Sequence, residues 1–193
     1  MVNETEKKKL HRIFICIDFP EEAIKEIARA QDVLGNWKFT GKLTELENLH
    51  LTLKFLGEID ENKLGEIREK LKEIRFKKME LGLGNVGSFG YRGKPRIIWI
   101  KILGKEFYEL QKKIDEVLSE AGFIKEERFM GHVAVARVKY VKDAKGFKEY
   151  IDTLKLRKIR FFEDKFKLME SELRTLGPVY TVIEEYIARD LKF

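Results

Sequence analysis

The sequence holds one cysteine, three histidines and three prolines in 193 residues. A single cysteine, Cys16, excludes an intrachain disulfide framework and any metal site built on several thiolates. Its place in an apolar, alternating stretch points to a buried and inert thiol. No Gly-x-Gly-x-x-Gly follows the first strand-like run, which argues against a Rossmann unit. There is no His-Glu-x-x-His cluster for zinc and no Gly-x-Ser-x-Gly elbow for a serine hydrolase. Long apolar runs are missing too. The stretch after Lys7-Lys8-Lys9 is broken by Asp18 and Pro20, too short and too polar for a signal peptide or a membrane span. A cytoplasmic protein without a membrane partner is expected, and the default oligomeric state is a monomer.

What is present describes a globular chain. Apolar residues make up 44% and charged residues 37%, enough for one domain, residues 1–193, with a sizeable core. The charges are mostly Lys, Glu and Arg of both signs, a mixture common in heat-adapted proteins. The net charge of +6 is compatible with a polyanionic partner, although charge alone points first to a solvated surface with a small lysine excess.

Ile13, Ile15, Ile17 and Phe19 alternate with Phe14, Cys16 and Asp18, the signature of a half-buried strand. Pro20-Glu21-Glu22 suits the first turn of a helix that Gly35-Asn36 stops. Leu49, Leu51, Leu53 and Phe55 form the buried face of a second strand, which Gly57 ends. Asp60 can cap a helix with Leu64, Ile67, Leu71 and Ile74 at helical spacing. A Gly-rich, strand-like segment from Leu81 turns near Gly90–Gly93. Then the order restarts: a strand over 96–102, a helix ending at Gly122, a strand over 131–139, a helix around Phe147, Ile151 and Leu154, and strand-like runs over 159–171 and 179–188. Ile13-Phe14-Ile15 and Ile97-Ile98-Trp99 lie 84 residues apart, which suggests a weak internal duplication covering roughly 12–93 and 95–190. The order does not fit strict βα alternation, so an α+β fold is expected, with antiparallel or mixed sheets.

Two of the three histidines sit in matching places. His50-Leu51-Thr52-Leu53-Lys54-Phe55 and His132-Val133-Ala134-Val135-Ala136-Arg137 each read as a strand with histidine on the polar face, 82 residues apart. Side chains at i and i+2 share a face, so Thr52 and Lys54 accompany His50, and Ala134 accompanies His132. A lone histidine on a half-buried strand is usually structural; two in matching contexts shift the balance toward function. Imidazole ionises near neutrality, so one ring can act as a base while its partner acts as an acid, a division suited to displacement at phosphorus. The remaining imidazole, His11, lies near an exposed N-terminus, and a metal site lacks a third ligand. A metal-free, cofactor-free reaction is therefore expected.

Glu47-Asn48-Leu49-His50-Leu51-Thr52-Leu53-Lys54-Phe55-Leu56-Gly57, with the opening Arg12–Pro20, Pro95–Trp99 and Gly177-Pro178-Val179-Tyr180, resembles the RNA 2′,3′-cyclic phosphodiesterases of the 2H phosphoesterase superfamily, historically named 2′-5′ RNA ligases. The resemblance covers about residues 12–187. It implies two pseudo-symmetric lobes around a central cleft, with His50 as proton donor to the leaving ribose oxygen and His132 as the base that activates water. Thr52 and Arg137 would bind the phosphate. The implied substrates are RNA ends bearing a 2′,3′-cyclic phosphate, tRNA fragments among them, or cyclic nucleotides, opened to a 2′-phosphomonoester. Rival readings are net 2′-5′ ligation, the reverse reaction, and a non-catalytic RNA-end-binding module.

The chain departs from the family pattern once. Ala134 stands where the second motif carries Thr or Ser, so one hydroxyl donor to phosphate is missing. Strict alternation also sets Arg137 on the Val133 face, away from the cleft, unless the strand bulges. Phe14 is a candidate stacking platform for a terminal base or a core aromatic.

Overall fold

The computed structural model describes residues 9–175 and 177–189. In chain order these form β1 (His11–Asp18), α1 (Glu21–Gly35), β2 (Thr40–Leu43), a short 3-10 turn (Leu46–Asn48) and β3 (His50–Ile59). α2 (Glu61–Lys72), β4 (Met79–Tyr91), β5 (Lys94–Leu103), α3 (Glu106–Ser119) and β6 (His132–Tyr140) follow. α4 (Ala144–Thr153), β7 (Arg160–Glu163), β8 (Lys165–Arg174) and β9 (Gly177–Ile187) complete the described chain.

The strands build two sheets, of order β3-β1-β8-β9 and β2-β6-β5-β4-β7. Every registered pair is antiparallel. The expected α+β class with two lobes is therefore present, and the mixed alternative does not arise. The lobes are not the two halves of the sequence. β1 and β3 are completed by β8 from late in the chain, and β5 and β6 by β4 from earlier. The run β3-β1-β8-β9 in one sheet has the same arrangement as β6-β5-β4-β7 in the other, with a histidine as the first residue of β3 and of β6.

Helix faces explain the layering. α2 and α3 pack together and lie behind the first sheet against β9 and β3; α1 and α4 lie behind the second, against β6, β4 and β5. Ile27 and Leu34 of α1, Ile67 and Leu71 of α2, Leu110 and Ile114 of α3, and Phe147 and Ile151 of α4 are all buried in one continuous core with Leu51, Leu53, Val133 and Val135. Each such side chain contributes about 1.5–3 kcal/mol on removal from water. The Lys63 amide donates to Asp60 Oδ1, the cap expected from the sequence, and the Gly146 amide donates to Asp143 Oδ1 at the start of α4, both at 2.9 Å.

Three local expectations need correction. β3 does not end at Gly57, which continues the ladder opposite Ile13 with φ +76°. β1 is buried on both faces, because Phe14 and Cys16 form a small separate cluster with Met169 under the cleft. His11 is buried rather than exposed: its Nδ1 meets Glu170 Oε1 at 2.8 Å and its Nε2 lies 3.2 Å from Glu61 Oε2. No helix among the described residues is long and apolar enough to cross a membrane.

Candidate active site

The concave faces of the two sheets meet over a cavity of about 240 Å³, lined by His50, Thr52 and Phe55 of β3 and by His132, Ala134 and Arg137 of β6. Lys42, Asn48, Tyr180 and Ile97 also border it. A larger depression of about 490 Å³ lies elsewhere, near Leu81, Leu103, Lys105 and Arg160; it contains no imidazole, so size does not locate the chemistry.

Both histidines are held the same way. His50 Nδ1 lies 2.8 Å from the carbonyl oxygen of Asn48, and His132 Nδ1 lies 2.8 Å from that of Met130, two residues back in each case. A carbonyl only accepts, so each Nδ1 carries the hydrogen and donates it, fixing the tautomer. The Nε2 atoms are then the nitrogens free to exchange protons with a ligand. Each ring also meets an aromatic edge: His50 with Tyr180 (centroids 5.4 Å, 83°) and His132 with Phe89 (5.0 Å, 90°). Asn48 serves twice, because its side-chain amide donates to the Pro178 carbonyl at 3.2 Å and ties β9 to the first motif.

Each motif strand contains an extra residue shortly after its histidine. On β3, Thr52 faces Cys16 and Lys54 faces Ile15, so Leu53 and Lys54 together oppose one residue of β1. On β6, Ala134 faces Trp99 and Ala136 faces Ile98, so Val135 and Ala136 do the same against β5. These β-bulges reverse the alternation that follows them. Arg137 consequently returns to the His132 face and borders the cavity. Phe55 likewise turns to the cavity and is 67% exposed, not part of the buried face.

Lys54 moves the opposite way. It leaves the His50 face, is buried, and pairs with the buried Asp115 of α3 while also donating to the Ile124 carbonyl at 2.7 Å. Asp115 accepts further bonds from Gln111 Nε2 (2.7 Å) and the Glu126 amide (2.9 Å). At the corresponding position of α1, the buried Gln31 braces the β6 bulge: its Nε2 donates to the carbonyls of Val135 (2.9 Å) and Thr44 (2.8 Å). Both bulges are thus held from behind by a polar group on a helix.

Phe14 takes the second of its two readings, a core aromatic. At 2% exposure it offers no face to a base, because Met169, Tyr180 and Phe55 cover it. It supports the His50 ring from below instead, at 5.0 Å between centroids. Cys16 is buried beside it, and burial pushes its thiol well above the usual range.

Burial pulls the His50 imidazole below its ordinary value, while the Asn48 carbonyl and the Asp18 carboxylate work against that pull and charge on His132 adds to it. Burial pushes the Tyr180 phenol up, against the effect of Arg137, so its hydroxyl remains a donor at neutral pH. Lys42 and Glu45 form an ion pair at the cavity edge. No group of three or more His, Cys, Asp or Glu side chains that could hold a metal ion occurs among the described residues.

Of the residues singled out in sequence, His50, Thr52, His132, Ala134 and Arg137 come together on one cavity, and Phe14 stands behind it. Asn48 and Tyr180 were not assigned roles, although both lie in segments that carry the family resemblance.

The LigT-like phosphoesterase model matches residues 17–99. An RNA 2′,3′-cyclic phosphodiesterase of Methanocaldococcus jannaschii is 40% identical over 91% of this chain and 99% of its own. Its namesake from Thermotoga maritima is 34% identical over 90% and 94%. Among solved structures, the Thermus thermophilus protein TT0787 superposes with a TM-score of 0.79 at 26% identity, covering 92% of this chain and 98% of that one. Escherichia coli LigT complexed with 3′-AMP gives 0.75 at 21%, covering 93% and 99%, a likeness of fold. With full-length relatives at this identity, the chain belongs to the LigT-like phosphoesterase family.

Proposed function

We propose that this protein hydrolyses the terminal 2′,3′-cyclic phosphate of RNA to a 2′-phosphomonoester, without a metal ion, by acid–base catalysis between His132 and His50. The observation that carries this reading is the matched pair of imidazoles on one cavity, each tautomer fixed through Nδ1 with Nε2 left for the ligand. In the forward step, neutral His132 Nε2 takes a proton from water as the water oxygen bonds to phosphorus. The bond from phosphorus to the 3′ oxygen breaks on the opposite side, and protonated His50 Nε2 supplies the proton that completes the 3′ hydroxyl. Thr52 donates to a non-bridging oxygen, and the Arg137 guanidinium neutralises charge that grows on the phosphate. The cyclic diester is itself an anion, and between two rings it favours the state in which one of them is charged.

The names of the relatives support an RNA substrate. The reading treats the chain as one bilobal domain with an internal repeat, in which each half contributes one histidine strand. The experiment is incubation of a cyclic-ended oligonucleotide with the protein in a chelator, with and without a 5′-hydroxyl partner, followed by assignment of the product isomer. A 2′-phosphate, abolished by His50→Ala and by His132→Ala while RNA binding persists, is the expected result. A 3′-phosphate, a joined product, or turnover that survives loss of either imidazole would overturn the assignment.

A further inference from the structure

The two halves of the site carry opposite charges at matching positions. Asp18, the last residue of β1, is the cross-strand neighbour of His50. Lys101 of β5 is the cross-strand neighbour of His132. Directly opposed residues share a face, with Cβ atoms about 4.5–5.5 Å apart. Each charge therefore stands on the same concave face as its imidazole.

We infer that Asp18 and Lys101 are positioning residues that break the equivalence of the two imidazoles, biasing the catalytic proton toward His50 and away from His132. This deepens the proposed acid–base reading and depends on it.

The surroundings of the pair support the assignment from both sides. Around His50, Asp18 Oδ2 is held by Lys167 of β8 at 2.5 Å, and Lys167 is shared with Glu185 of β9 at 3.0 Å. Burial opposes the charge on Lys167, but Asp18 and Glu185 outweigh it and hold the ammonium above its usual range. Glu163 of β7 adjoins the same group: burial, then Asp164 and Asp18, push its carboxyl up. Lys165 also reaches Glu185 at 3.3 Å, so Asp18, Glu163 and Glu185 accompany two ammonium groups on the His50 side. Tyr180, neutral at working pH, is the other titratable group against that ring.

Around His132 the balance is reversed. Lys101 makes no ion pair among the described residues, and Arg137 stands on the same face of β6. Phe89, the ring packed against His132, brings no charge. Across the cavity the rings face each other, and the Lys42–Glu45 pair is neutral overall. A proton shared between two imidazoles is drawn toward the carboxylates and away from the ammonium. Burial disfavours charge on His50, and Asp18 offsets part of that penalty.

The test reads the imidazole nitrogens directly. Wild type, Asp18→Asn, Lys167→Met and Lys101→Gln are titrated by nitrogen-15 NMR of the histidine rings, and kcat/KM is followed against pH on a cyclic nucleotide. In Asp18→Asn the His50 midpoint moves to lower pH with the His132 signals in place, and kcat/KM falls roughly three- to tenfold. Lys167→Met keeps Asp18 but strips its counter-charge, so the His50 midpoint moves up. Lys101→Gln increases the share of the proton found on His132. A His50 midpoint that ignores Asp18 and Lys167, or that moves together with His132 by the same amount, overturns the inference. The nitrogen signals report in the free protein, so an inactive wild type would sink the hydrolase reading while the charge assignment is still decided.

Discussion

Arg137 shares the cavity face of β6 with His132 although five positions separate them, because Val135 and Ala136 together oppose a single pairing step of β5. The guanidinium reaches the cavity side of the strand through an extra backbone residue, whose carbonyl accepts from both the Thr44 amide and the Gln31 side chain, each at 2.9 Å.

Gln31 is accordingly expected to matter for both stability and turnover. Gln31→Leu removes the side-chain bonds to the Val135 and Thr44 carbonyls, the former keeping the Thr44 amide, a loss of about 0.5–1.5 kcal/mol for each bond. Denaturant melts should show the loss. A fall in kcat/KM beyond that of an equally destabilised core variant would show that the bulge has relaxed and Arg137 has moved.

The Lys54–Asp115 pair gives a second expectation. Lys54→Met strands a buried carboxylate and should cost about 3–5 kcal/mol. Replacing both partners, Lys54→Met with Asp115→Leu, should recover much of that loss, because two buried charges are removed together. A double variant no more stable than the single one would mean that the Gln111 and Glu126 bonds to Asp115, and not the ion pair, hold this corner.

Ala134→Thr restores a hydroxyl at the cavity wall opposite Thr52. A charge-assisted hydrogen bond contributes about 1.5–3 kcal/mol, so turnover of a cyclic phosphate should rise roughly tenfold or more. Unchanged or lower activity would show that another donor already serves that oxygen.

His50 also links stability to pH. Its folded-state value lies below the ordinary 6.5, so between the two values the unfolded chain binds more protons than the native one. Stability contributed by the neutral ring is present above about pH 6.5 and is lost as pH falls toward the depressed value. Urea midpoints of the wild type should therefore decline across that window. His50→Gln should show a flatter dependence there, and an identical slope would show that other groups set it.

Much of this organisation is legible from the residues. The alternating runs give β1, β3, β5 and β6, helical spacing and caps give α1 to α4, and the paired histidines give the site. What escapes is decided by contacts between distant segments. An extra residue in a strand leaves no mark in an alternating sequence, so Lys54 and Phe55 exchange places relative to the simple pattern. β2 is four exposed residues that pair with β6 through the backbone, with no apolar signature. β7 and β8 read as one run because the single residue between them, Asp164, carries no Gly or Pro. His11 looks terminal in sequence but is covered by Glu61 and Glu170, one of them 159 positions away.

The backbone passes from one sheet to the other four times, between β1 and β2, β2 and β3, β3 and β4, and β7 and β8. A hinge needs few connections, and here the two walls are laced. A ligand is then expected to enter and leave by rearrangement of side chains and rim turns rather than by the walls swinging apart. The separation of the two imidazoles is thereby set before any ligand arrives, which leaves little orientational entropy to be lost if they act together on one.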